Sequence, residues 1–244
     1  MIRQALLHFR GLGPARIAAL EAQGVRTWDD IVDKSSRLPE ALRDDLVREA
    51  TALIEAHEQG RIGYLVERLH PADHWRILDE YLESAAFFDI ETTGLESDAA
   101  ISVICCYANR RIESFVEYVN LDDFLAFLED VSLLVSFNGS TFDVPRVLDA
   151  FHIPELPCPH LDLRWICRRQ GHVGGLKQVT RRLGIERPRE VAAMSGEDAV
   201  DLSWRWLLQR DETAKRELVR YCSADVMLLR RLSEKVLWGL GVGS

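Results

Sequence analysis

The sequence predicts an α/β domain with a mixed β-sheet flanked by helices, preceded by a small all-helical domain. Three observations predict it. Residues 1 to about 60 read as helical throughout. At Ala85 the rhythm changes to short apolar runs of strand type. Beyond them strand and helix patterns alternate, as they do when helices cover a sheet. A length of 244 residues accommodates two such units.

In the first part, Ala5-Leu6-Leu7 leads to Arg10-Gly11-Leu12-Gly13-Pro14. A helix is expected over 15–23, stopped by Gly24. Another follows over 28–32, with Thr27 as its N-cap. Residues 39–57 form a longer amphipathic helix. Residues 61–84 read as a helical connector, punctuated at His70-Pro71. In the second part, 85–91 is a buried strand. Two more, 101–107 and 112–118, are joined by a hairpin at Asn109-Arg110. A helix over 121–129 takes Asn120 as its N-cap. A short apolar strand at 133–137 precedes a helix over 142–151, which tolerates Pro145 in its first turn. His160-Leu161 is the last short strand. Helices over 162–169, 176–183, 199–209 and 212–236 complete the domain, which spans 85–238.

Composition narrows the classes. The chain is 47% apolar and 28% charged, as globular proteins are. No apolar run approaches the roughly 18 residues of a membrane span. Met1-Ile2-Arg3-Gln4-Ala5 lacks signal-peptide character, so the cytoplasm is the expected location. Five cysteines, with no CxxC pairing, argue against a disulfide framework and a structural zinc site. The net charge of −9 counts against a nucleic-acid partner. Yet the stretch from Arg164 to Arg189 holds eight cations against Glu186 alone. It reads either as a solvated helix face or as a groove lining for a phosphate backbone.

Three short segments carry the chemistry. In Phe88-Asp89-Ile90-Glu91-Thr92-Thr93-Gly94-Leu95, the two acids lie two apart on a strand and project together. In Asn138-Gly139-Ser140-Thr141-Phe142-Asp143, the acid opens a helix. In Tyr221-Cys222-Ser223-Ala224-Asp225, Tyr221 and Asp225 share a helix face. That helix runs on through Val226, Met227, Leu228 and Leu229, so it is buried and Asp225 needs compensation. Unit charges about 5 Å apart repel by about 3 kcal/mol per pair at an effective dielectric near 20. Four converging carboxylates therefore call for cations, and hard oxygen donors select Mg²⁺ or Mn²⁺.

On these residues the chain resembles the DEDD exonuclease superfamily, which has a ribonuclease H-like fold. Asp89 and Glu91 match the first motif, Asp143 the second and Asp225 the third. Tyr221, four positions before the last Asp, matches the tyrosine subclass. The resemblance covers about residues 85 to 237. His160-Leu161-Asp162-Leu163 and Gly175-Leu176-Lys177-Gln178-Val179 are similar to bacterial YprB-type ribonuclease H-like proteins. The resemblance implies a two-metal 3′→5′ exonuclease releasing 5′-mononucleotides. Asp89, Glu91, Asp143 and Asp225 would hold two Mg²⁺ or Mn²⁺ ions, and Tyr221 would orient the attacking water. Thr92, Thr93 and Leu95 would lie against the terminal nucleotide. Asn138 and Phe142 would line the same pocket. Lys177 reads as a phosphate contact or as a solvated lysine, and Asp162 as an N-cap rather than a metal ligand.

The segment around Gly11 and Gly13 resembles a helix-hairpin-helix motif. Its amides would take a nucleic-acid phosphate, or the hairpin would serve only in packing. It tilts the expected substrate toward DNA over RNA. Two alternatives stand beside this reading: a non-catalytic nucleic-acid-binding or interaction module, and a structure-specific endonuclease.

Overall fold

In the computed structural model, which describes residues 1–96 and 98–241, the chain divides into two units, Met1–Glu80 and Tyr81 onward. The first unit is helical, with α1 (Pro14–Ala22), α2 (Trp28–Asp33), α3 (Arg43–Glu58), α4 (Ile62–Arg68) and α5 (His74–Tyr81). Its core gathers Phe9, Trp28, Ile31, Leu46, Leu53 and Leu65. The buried Trp28 indole donates to the Ala5 carbonyl at 2.7 Å, so its one polar atom is satisfied. Thr27 and Asp30 form the capping box that starts α2.

Gly11 has φ +84°, and a Cβ there would meet Leu42 at 2.9 Å, so the turn into α1 needs glycine. Ahead of that turn the chain forms a 3₁₀ turn at Ile2–Gln4. The helix expected from residue 39 starts later. Pro39 is extended, a 3₁₀ turn spans Glu40–Leu42, and α3 begins at Arg43. Of the residues read as a connector, 61–80 fall in the first unit and 81–84 in the second. Arg76 donates to the Met1 carbonyl at 3.1 Å, and His57 lies 2.8 Å from Glu80.

The second unit is built on β1 (Ala86–Thr92), β2 (Ile101–Ala108), β3 (Arg111–Val116), β4 (Leu134–Ser136) and β5 (His160–Asp162). Their order is β3-β2-β1-β4-β5. β2 is antiparallel to β1 and β3, while β1, β4 and β5 run parallel, giving the mixed sheet. Asn109 and Arg110 both have positive φ, 50° and 62°, as a tight hairpin between right-twisted strands requires. The parallel strands are joined through α6 (Asp123–Glu129) and α7 (Asp143–Phe151). Then follow α8 (Leu163–Arg169), α9 (Leu176–Arg182), α10 (Gly196–Gln209) and α11 (Glu212–Gly239).

Asn120 does not cap α6. Its amide bridges the Val116 N–H and the Ser114 carbonyl at 3.0 Å each, which closes the loop after β3, and Asp122 stands at the N-cap. Because side chains alternate on strands, the sheet has two apolar faces. On one, Phe88, Ile90, Ile104 and Cys106 pack with Phe124 of α6 and Val147 of α7. On the other, Val103 and Cys105 pack with Leu202 and Trp206 of α10 and Leu218 and Cys222 of α11. Each such large side chain stabilises the fold by about 1.5–3 kcal/mol through burial. All five cysteines are buried free thiols. Among the described residues, no helix is long and apolar enough to cross a membrane.

Candidate active site

Asp89 and Glu91 project from the sheet face that α10 and α11 cover. Their β2 partners, Cys105 and Val103, belong to the core beneath those helices. A register shift between Glu91 and Thr92 bends the strand end beside the two acids. α11 crosses this spot with Tyr221 and Asp225 one turn apart. The Cys222 thiol between them donates to the Asp89 carbonyl at 3.3 Å, pinning helix to strand. Asp143 opens α7 and is 6% exposed.

The electrostatics show that these four carboxylates share one field. Burial pushes Asp89 well above the usual carboxylate range, and Glu91, Asp225 and Asp143 add to the shift. Glu91 is raised in the same way, by burial and then by Asp225. Asp143 is pushed up to about 7, chiefly by burial, against the pull of backbone hydrogen bonds that include Ile90. Burial also raises Asp225, although the Arg187 guanidinium pulls it down.

Two cations flank Tyr221. Lys177 donates to the Tyr221 hydroxyl, and its ammonium lies 4.7 Å from the ring centroid. The Arg187 guanidinium lies 4.6 Å from the same centroid and pairs with Asp225 at 2.5 Å. Burial and the neighbouring acids push the phenol pKa up, so Tyr221 is neutral. One lone pair accepts from Lys177, which leaves its own O–H free to donate.

Asp162 orders the loop that carries the second motif. It accepts from the backbone amides of Asn138 at 2.7 Å, Ser140 at 3.2 Å and Arg164 at 2.9 Å, and from the Ser140 hydroxyl. It is therefore the N-cap of α8 and also a clamp on the turn before Asp143. Asn138, held at φ 67°, accepts from Arg164.

An open cleft of about 620 Å³ has Asp89 and Asp225 at the acidic part of its wall. Arg164, Arg168 and Lys177 line it too, beside Phe137 and Asn138. Part of the basic stretch thus faces the carboxylates. Of the other predicted positions, Thr92 donates to the Gly94 carbonyl at 2.7 Å and Thr93 accepts from Ala100 at 3.0 Å. Both shape the turn after β1. Leu95 is 80% exposed. Phe142 leans on the core under α7, with Arg146 5.2 Å from its ring centroid. Gly13 is the extended N-cap of α1, with Pro14 in the first position. Sequence reasoning did not single out Arg187, Arg164 or Phe137. Membership of the basic stretch was the only signal for the two arginines, and Phe137 looked like any strand-end aromatic.

The donor set suits a divalent cation. Ligand atoms of Asp89, Glu91 and Cys222 lie within 4.8 Å of one another. Burial raises the Cys222 thiol well above its usual range, so it keeps its proton and the donors are the carboxylates. Hard oxygen donors under mutual repulsion fit Mg²⁺ or Mn²⁺.

Comparison with known proteins matches residues 86–237 to a family described as the RNase_H superfamily. The fold is similar to that of the family B DNA polymerase from the hyperthermophilic archaeon Pyrobaculum calidifontis. The TM-score is 0.50 at 19% identity, over 63% of this chain and 24% of that one. A structure described as the apo form of a nuclease gives a TM-score of 0.46 at 15% identity, over 66% and 75%. E. coli exonuclease I bound to single-stranded DNA gives 0.39 at 15%, over 64% and 41%. The chain thus spans about a quarter of the polymerase and under half of exonuclease I. No curated protein sequence matches it.

Proposed function

The chain belongs to the RNase_H superfamily through residues 86–237, and from that premise we propose that it is a metal-dependent 3′→5′ exonuclease of the tyrosine subclass. One observation carries the reading. Asp89, Glu91, Asp143 and Asp225 lie in one electrostatic field beside Tyr221, and Asp89 and Asp225 open on a cleft whose wall also presents Arg164, Arg168 and Lys177. The four carboxylates would hold two Mg²⁺ or Mn²⁺ ions. Such ions supply a more acidic water and charge stabilisation at the leaving oxygen of a phosphodiester.

The chain's own groups do the rest. Tyr221 donates its free O–H to the attacking water and fixes its direction, while Lys177 holds the phenol in place. Arg164 and Arg168 take up backbone phosphates. Phe137 and Asn138 provide the wall against which the terminal nucleotide lies, with Thr92, Thr93 and Leu95 on the turn after β1. In the helical unit, the Gly11–Gly13 turn offers amides to backbone phosphate, and its likeness to a helix-hairpin-helix motif favours DNA over RNA.

The test uses single strands labelled at the 5′ end, incubated with Mn²⁺. Wild type is expected to shorten them stepwise from the 3′ end and to release 5′-mononucleotides. Asp89→Asn and Asp225→Asn should fall to background, and Tyr221→Phe should lose about 10²-fold in kcat. A circular strand should survive, and its cleavage would assign an endonuclease instead. Equal degradation by wild type and both Asp variants would refute the assignment.

A further inference from the structure

A second cleft, of about 760 Å³, opens between α9 and the start of α10, with Lys177 common to its wall and that of the first. Arg181, Arg187 and Arg189 line it against one acid, Glu186. Among the described residues, neither Arg181 nor Arg189 forms an ion pair. Ser195 and Gly196 bring the N-terminus of α10, a helix of 14 residues, to the same wall. The capping box there engages the Ser195 and Asp198 amides, which leaves those of Gly196 and Glu197 for an anion beside the Asp198 carboxylate that caps the same turn. A Cβ on Gly196 would meet nothing within 4 Å, so the approach is open.

Arg187 stands on the same wall. Its side chain is only 9% exposed. One terminal nitrogen pairs with Asp225, and the other lies 3.4 Å from the Val191 and Met194 carbonyls. Its Nε is buried without a partner. Native folds rarely leave such a donor unmet. We propose that this cleft is a phosphate-binding site, separate from the carboxylate cleft, which takes the phosphate of a nucleotide. Arg187 lines that wall with Arg181 and Arg189 and adds its charge toward the phosphate, while its guanidinium stays paired with Asp225. Only which phosphate arrives, that of a released 5′-mononucleotide or that of the nucleic-acid chain, rests on the exonuclease reading.

The 244-residue chain in EDTA separates the two ideas, because carboxylates without cations repel phosphate. Calorimetry should show binding of thymidine 5′-monophosphate and none of thymidine. Arg181→Gln/Arg189→Gln, with both side chains exposed, should weaken the mononucleotide about tenfold at an unchanged melting temperature. Asp89→Asn should not weaken it. An eight-residue oligothymidylate binding more weakly than the mononucleotide assigns the released product, and tighter binding that the same double substitution weakens assigns the chain. No mononucleotide binding, or equal binding by wild type and the double variant, overturns the site. If binding holds while Mn²⁺-dependent degradation fails, the exonuclease reading falls and this site stands. The reverse result removes the site alone.

Discussion

Asp162 receives hydrogen bonds from Asn138, Ser140 and Arg164, and it is 4% exposed. Its substitution by Ala would leave partly buried amides in the turn before Asp143 without their carboxylate partner. Charge-assisted bonds of this kind contribute about 1.5–3 kcal/mol each where they are fully lost. Asp162→Ala is therefore expected to cost about 3 kcal/mol in urea unfolding and to weaken Mn²⁺ binding about tenfold, because Asp143 loses its fixed position. Unchanged Mn²⁺ affinity would confine Asp162 to capping α8. The carboxylates themselves were legible because each sits in a short segment whose local pattern fixes its element and face. Arg187 was not, since its bond to Asp225 spans 38 residues and depends on how the α9–α10 loop folds back. No local periodicity encodes that.

At the scale of elements, Gly139 ties a strand end to a helix start. A Cβ at this position would fall 2.0 Å from the Ser136 hydroxyl and 3.3 Å from the Asp143 carboxylate. Ser136 cannot yield easily, because its hydroxyl lies 3.1 Å from the Gly139 amide and 2.8 Å from His160. Gly139→Ala should thus cost about 1–3 kcal/mol by overpacking, and move Asp143 with the turn. A melting temperature within error of wild type would refute this account. The strands and long helices were legible, since apolar runs and Asn109-Arg110 state their own geometry. Helix starts were less so. Asn120 has the chemistry of a cap, yet its amide finds better partners in Ser114 and Val116. The start of α3 was displaced by Pro39, whose extended backbone postpones helical geometry to Arg43.

For the molecule as a whole, the buried acids set how stability depends on pH. Asp143 is raised to about 7, and Asp89, Glu91 and Asp225 are raised as well. In the unfolded chain these groups titrate near 4. Between about pH 4 and 7 the metal-free native state therefore binds more protons than the unfolded one. Its stability is greatest at the low end of this window and falls as pH rises through it. A divalent cation held by these carboxylates would bind their deprotonated form and so reverse the trend. Saturation at about a hundred times the dissociation constant contributes about 2.7 kcal/mol, or roughly 5–10 °C for a chain of this size. Melting curves with EDTA should fall in midpoint from pH 5 to pH 8. With 5 mM Mn²⁺ the midpoint should rise by that amount at pH 8 and by far less at pH 5. Asp89→Asn/Asp143→Asn, which removes two of the four charges, should flatten the EDTA series and abolish the Mn²⁺ response. An Mn²⁺ shift that is the same at both pH values, or that survives in the double variant, would place the cation somewhere other than these carboxylates.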